Sequence, residues 1–231
     1  MHHITIDYGM SAYRKVWALQ KSLFAEVLNS KKKNKEADYQ YLLIGEHPAV
    51  YTLGFHGNIS NMLATEERLK SIGVECIRIE RGGDITFHGP GQVVAYPIIN
   101  LESMGIGVKG YMDMLEDCIV ELLGEYDVVG KKVEDAIGIW VGDGLEERKI
   151  CAMGVKCSRY VTMHGLALNV NTDLSFFENI NPCGFTDRGV TSLQAEIGWS
   201  VDVADIKCRL KEIFWRHFTT RQHYILSQGI I

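Results

Sequence analysis

The residues of this chain best suited to chemistry are its cysteines, histidines and a few lysines, and their surroundings begin to sort them. Cysteines stand at 76, 118, 151, 157, 183 and 208, with no CxxC pair among them. That spacing reads as free thiols in a reducing compartment and not as a disulfide framework. The eight histidines show no ligand-like spacing, so no metal is expected. A free cysteine is most often a small buried hydrophobe, which is the reading given to Cys76, Cys118 and Cys208. Cys151 and Cys157 fall in a strand-like run, where packing is again the default. Cys183 differs. In Asn181-Pro182-Cys183-Gly184 the proline fixes φ before the thiol, and the glycine leaves sulfur unshielded on one side.

A cysteine nucleophile acts as thiolate, and an ordinary thiol with a pKa of about 8.5 is mostly protonated at neutral pH. It needs a cation or base beside it. The sequence offers Lys149, His88 and His164, and spacing alone does not choose among them. The run from Arg81 to Gln92, RGGDITFHGPGQ, holds four glycines around an arginine, a threonine and a histidine. Glycines let a backbone approach a ligand closely, and those polar groups suit a thioester or a carrier phosphate. A pair of tight turns between strands explains the same run equally well. Gly105-Ile106-Gly107-Val108-Lys109-Gly110 matches the dinucleotide fingerprint in letters only. Three residues separate it from the preceding strand-like run and no βα series follows, so it reads as a connection into a helix.

These groups must be positioned by ordinary elements. With 46% hydrophobic and 23% charged residues in 231, the composition is that of a soluble globular protein. A net charge of −5 gives no overall basic field for nucleic acid. The most continuous apolar run, Val93 to Leu101, contains Pro97 and Asn100 and is too short to cross a membrane. The first residues, MHHITIDYGM, do not resemble a secretory signal, so a cytoplasmic location is expected. Helical periodicity marks Tyr13 to Leu28 (with Ser11 as cap), Met112 to Leu123, and Ile206 to His217 with Asp202 as cap. Strand-like runs cover 40–45, 50–53, 74–80, 84–88, 93–101, 136–141, 148–157 and 161–170. Gly142-Asp143-Gly144 joins two of them as a hairpin. Helices and strands do not alternate, which predicts an α+β domain with a mostly antiparallel or mixed central sheet flanked by helices. Lys31 to Lys35 read as a solvated loop.

Three blocks carry a resemblance: RGGDITFHGPGQVVAYPIINL (81–101), KICAMGVKCSRYVTMHGLALNV (149–170) and NPCG (181–184). Together they resemble the lipoyl(octanoyl) transferases, which share the fold of the biotin and lipoate protein ligases. The resemblance implies one acyltransferase catalytic domain over 1–231. It implies an acyl-thioester on Cys183, and Lys149 as the group that lowers the thiol pKa and shuttles protons. The acyl-binding segments of that family match Arg81, Gly82, Gly83, Asp84, Ile85, Thr86, Phe87 and His88, then Ala152, Met153 and Gly154, then Gly165, Leu166 and Ala167. No cofactor is implied. The implied donor is octanoyl-acyl carrier protein, and the implied acceptors are lipoyl domains of 2-oxoacid dehydrogenase subunits and the glycine cleavage H protein. Lys156 stands where the family usually has arginine, and Cys151 where it has a smaller residue. An ATP-dependent lipoate or biotin ligase and a non-catalytic carrier-binding module are the two competing expectations.

Overall fold

Val161–Asn169 is buried along its whole length, so it must lie mid-sheet with a layer on either face. The computed structural model describes residues 2–32, 39–182 and 188–227. In chain order its elements are β1 (His2–Met10), α1 (Tyr13–Lys32), β2 (Tyr39–Glu46), β3 (Val50–Leu53), α2 (Glu66–Ser71), β4 (Glu75–Arg78), β5 (Ile85–His88) and β6 (Gln92–Ile98). There follow α3 (Val108–Gly124), β7 (Lys131–Lys132), β8 (Ile139–Val141), β9 (Arg148–Ser158), β10 (Val161–Asn169), β11 (Gly189–Val190), α4 (Leu193–Ile197) and α5 (Val203–Ser227).

The larger sheet runs β1-β2-β6-β10-β9-β8-β7, with β11 paired to β9, and a three-stranded sheet runs β4-β3-β5. The pairs β1–β2, β3–β4 and β9–β11 are parallel and the others antiparallel. The sheet is therefore mixed, as the α+β reading expects. One face of the larger sheet packs on α3 and α5 through Leu115, Ile119, Leu122, Ile213 and Phe214. Each such fully buried side chain contributes about 1.5–3 kcal/mol. The other face meets α1 through Tyr13, Val16, Leu23 and Val27. The small sheet has its own core around Tyr51, Phe87 and Phe177.

Local chemistry explains where expectation and structure part. The strand expected over 93–101 ends at Ile98 because the Asn100 side chain accepts from Glu102 N and starts a 3-10 turn. Gly105 closes that turn in the left-handed region and Gly107 precedes α3, which accounts for the glycine-rich run. Asp202 accepts from Ala204 N at the start of α5, whereas the Ser11 hydroxyl donates back to Tyr8 O and caps nothing. Lys31 and Lys32 form the last turn of α1, where positive charge suits the helix dipole, and are not loop; 33–38 lie outside the described residues. Cys118 is buried and Cys76 half-buried as expected of packing residues, but Cys208 is exposed on α5. Edge strand β1 has no fully buried residue and so leaves no clear apolar alternation in the sequence.

Candidate active site

A cleft lies between the small sheet, the start of α1 and strands β9 and β10. Ala167, which packs on the α1 side, and Met153 and Leu166, which pack on the side of α3 and α5, all line it. On β9, Cys151, Met153 and Val155 pack toward the helices, so strict alternation would send Lys149 there too. A bulge prevents this. Ile139 pairs with Cys151 but the next residue, Trp140, pairs with Lys149, so Ile150 is the extra residue. Bulges re-aim side chains in this way. Ile150 joins the helix-side core, while Lys149 lines the cleft at 7% exposure with its Nζ 4.6 Å from the Trp140 ring centre.

The wall is the Arg81–Asp84 turn. It is tied to the larger sheet by Gly82 N donating to Val155 O, and to the small sheet by Arg81 Nη2 donating to Thr52 O and Oγ1. Gly154 permits that approach, since a Cβ there would stand 2.7 Å from Gly82 O. Asp84 holds the neighbouring loop through Asn58 N and Asn61 Nδ2. Of the residues matched to acyl binding, Arg81, Gly83, Asp84, Ile85, Thr86, His88, Ala152, Met153, Gly154, Gly165, Leu166 and Ala167 line the cleft with Lys149. Gly82 and Phe87 do not. Gly82 N is spent on the tether to Val155 O, and its carbonyl accepts from Arg81 Nη1. Phe87 stacks on Phe176 at 4.6 Å and supports the wall from behind. Cys183 lies outside the described residues, as do 184–187. Pro182 and Val190, on either side of them, both line the cleft, and Val190 pairs with Lys149.

Beneath the cleft a chain of buried hydrogen bonds fixes the state of His88. Asn169 Nδ2 donates to Thr191 O and Gln92 Nε2 to Phe87 O, acceptors that can only accept, so both amide orientations are determined. Asn169 Oδ1 accepts from Gln92 Nε2, and Gln92 Oε1 must accept from His88 Nδ1–H at 2.8 Å. The lone pair of His88 Nε2 is then left to accept from the Thr52 hydroxyl at 3.3 Å. Burial, reinforced by His47, pushes the His88 pKa down to about 3. His88 is a neutral brace with both nitrogens committed, and it is not a base for a thiol.

His164 is the opposite case. Its backbone is left-handed at φ +60°, a conformation few non-glycine residues adopt, though His does so more readily than most. Its amide donates to Gln20 Oε1 on α1, and its ring meets Tyr96 edge-on at the cleft. Burial, then Arg81 and Lys156, push its pKa down to about 3, so it too is neutral. It stands opposite Val155, six residues along β9 from Lys149. Lys156 pairs with Glu80 at 3.5 Å and lies outside the cleft lining. Among the described residues no His, Cys, Asp and Glu group is arranged to hold a metal ion. Sequence reasoning missed Tyr13, Tyr96, Asn169 and Phe177 as cleft residues; only the packing of distant elements opens them to a common space.

The sheet is mixed, and the apolar cleft beside it holds a buried lysine and a glycine-rich wall. The chain belongs to the family described as lipoyl protein ligase A/B catalytic domain, whose model matches residues 12–215. It is 51% identical over 211 residues to an octanoyltransferase of Bacteroides fragilis, covering 91% of this chain and 95% of that protein. It is 48% identical over 214 residues to an octanoyltransferase of Parabacteroides distasonis, covering 92% and 96%. In fold it is similar to a putative lipoate protein ligase of T. acidophilum, with TM-score 0.66 at 14% identity over 96% of this chain and 86% of that one. A lipoate-protein ligase A bound with ATP gives TM-score 0.65 at 14% identity over the same shares.

Proposed function

We propose that this chain, 1–231, works as one catalytic domain that moves an octanoyl group from acyl carrier protein to a lysine of lipoyl domains, through a thioester on Cys183. The acceptors are the lipoyl domains of 2-oxoacid dehydrogenase subunits and the glycine cleavage H protein, and the reaction runs in the cytoplasm. No helix among the described residues is long and apolar enough to cross a membrane. One observation carries the reading beside the kinship with octanoyltransferases: the chain on both sides of Cys183, at Pro182 and Val190, lines the same cleft as buried Lys149.

The Cys183 thiolate attacks the thioester carbonyl of the donor, and the carbon–sulfur bond to the carrier breaks. The leaving thiolate takes the proton held by the Lys149 ammonium. The acceptor's lysine amine then attacks the acyl-enzyme, its N–H proton passes to Lys149, and the amide forms as Cys183 is released. Lys149 suits the task because it is held in the cleft, its Nζ 4.6 Å from the Trp140 ring centre. His88 is excluded from it by its hydrogen bonds, and His164 by its place far along the strand. A thioester is activated toward an amine, so no ATP enters.

The test is incubation with octanoyl-carrier protein without ATP, followed by intact mass and peptide mapping. A single octanoyl adduct on Cys183, discharged by an apo lipoyl domain, is expected. An unmodified enzyme that still transfers, an adduct on another residue, or transfer that requires ATP overturns the mechanism.

A further inference from the structure

Strand β11 follows Cys183 in the chain and lies against Lys149, yet it is only two residues long. Strands usually run about three to ten residues, so its backbone pairing alone is a weak tie. Gly189 pairs with Arg148 and Val190 with Lys149, and Thr191 N donates to Lys149 O at 3.0 Å. A side chain on α4 reinforces this. Glu196 Oε1 accepts from Arg148 Nε at 3.3 Å, from Arg148 Nη2 at 3.2 Å and from the Thr191 hydroxyl, and Oε2 accepts from the same Nη2 at 3.3 Å. One carboxylate thus grips the residue before Lys149 on β9 and the residue after Val190. Its side chain is 15% exposed and Thr191 is buried, a setting in which charge-assisted hydrogen bonds from an arginine fork are strong. The helix that presents Glu196 is itself fixed. Ser192 Oγ accepts from Ala195 N, Gln194 N donates to Val170 O, and Leu193 is buried in the helix-side core. Trp140 meets the same two segments, its ring centre 4.6 Å from Lys149 Nζ and 5.3 Å from Arg188 Cζ.

Glu196 is not among the residues that line the cleft. We propose that it is a positioning residue for acyl transfer. By clamping Arg148 to Thr191 it sets the register of Lys149 against the strand that follows Cys183, and with it the approach of the cysteine sulfur to the lysine amine. The inference rests on the Cys183–Lys149 reading of the cleft and adds the group that keeps the two segments in step. Misplacing a reacting group by about 1 Å lowers a rate by about a hundredfold. The loss of the clamp is therefore read in the chemistry and not in donor binding.

The experiment follows alkylation of Cys183 by iodoacetamide against pH, with the modified peptide identified by mass. An adjacent cation favours a thiolate, so moving Lys149 away raises the apparent pKa of alkylation. Deleting a carboxylate acts directly in the opposite sense, because it removes a negative charge. The sign of the shift therefore separates positioning from direct electrostatics. Glu196→Ala and Thr191→Val should each raise that apparent pKa by about half a unit or more. With octanoyl-carrier protein they should lower kcat about tenfold and leave KM within about twofold. Thr191→Val changes no charge and little shape, so it decides the matter should Glu196→Ala fail to fold. Glu196→Gln keeps Oε1 and Thr191→Ser keeps the hydroxyl, and both should stay near wild type. Added to Lys149→Ala, Glu196→Ala should shift the profile no further. A profile that stays put or moves down in the folded clamp variants overturns the proposal, as does a raised KM with unchanged kcat. Should Lys149→Ala itself leave the profile where it was, the Cys183–Lys149 reading fails instead.

Discussion

The floor of the cleft and its inner end are equally buried and equally polar, yet they are provided for in opposite ways. Under the floor, Thr52, His88, Gln92, Asn169 and the Thr191 carbonyl satisfy one another in a line that leaves no choice of tautomer or amide orientation. At the inner end, His164 and the Gln20 side chain it touches hold three polar atoms that no group among the described residues meets. A completed buried network rigidifies, and an incomplete one is costly unless something else completes it. Two histidines held down alike by burial thus differ in their partners, one bracing the wall and one lining the cleft with its ring nitrogens unpartnered among the described residues. Burial and pKa do not separate them; partners do.

The largest effect expected in that contrast lies outside both regions, at the proton-handling end. Lys149→Ala should lower acyl transfer by about 10²–10⁴-fold while the thermal midpoint moves little, measured with octanoyl-carrier protein and an apo lipoyl domain. Were His88→Asn to lower transfer as far without loss of stability, the division between brace and proton carrier would fail.

Acid should test both histidines at once. His47, His88 and His164 titrate near 4, 3 and 3 in the folded protein, all held down chiefly by burial, against about 6.5 unfolded. Between those values the unfolded chain binds more protons, so stability is fully present above pH 6.5 and is lost as pH falls toward 4. Each contributes about 1.4 kcal/mol per pH unit there, or about 4 for the three. Urea titrations from pH 7 to 4.5 measure the slope, and His88→Asn or His164→Asn should each remove about a third of it. A flat profile would mean that these rings are protonated in the fold.

Breaking the floor should cost stability directly. Asn169→Leu leaves Gln92 Nε2 one acceptor short and the Thr191 carbonyl without this donor, for a loss of about 2–4 kcal/mol in chemical denaturation. Gln20→Met at the inner end loses only the acceptor of the His164 amide, since Nε2 has no partner among the described residues, so the expected loss is smaller, about 1–2 kcal/mol. Equal losses would erase the comparison.

The wall that joins the two regions should lose less than the Asn169 network does. Gly154→Ala drives a Cβ against Gly82 O, so the Arg81 turn must lift from β9. A stability loss of about 1–3 kcal/mol is expected, with a rise in KM for the octanoyl donor larger than any fall in kcat. Unchanged KM would show that the turn does not hold the acyl chain.

Much of this was legible in the residues themselves. The three long helices and eight strand-like runs follow from periodicity, and the hairpin from Gly142 and Gly144, because those signals are local. The RGGD and K-I-C-A-M-G blocks also announce themselves locally, through glycines that the packed wall requires. Which way Lys149 points could not be read that way. Alternation along β9 would send it toward the helices with Cys151 and Met153, and the bulge that turns it back exists only because Trp140 and Ile139 on a neighbouring strand pair as they do. The same holds for the histidines. His88 and His164 look alike as candidates in sequence, and what separates them lies at Gln92, Thr52 and Gln20, the last 144 positions away. The elements and the inventory of reactive groups follow from local pattern, whereas the pairing of those groups follows from the tertiary fold, because burial and hydrogen bonding are set by contacts between segments that no local pattern encodes.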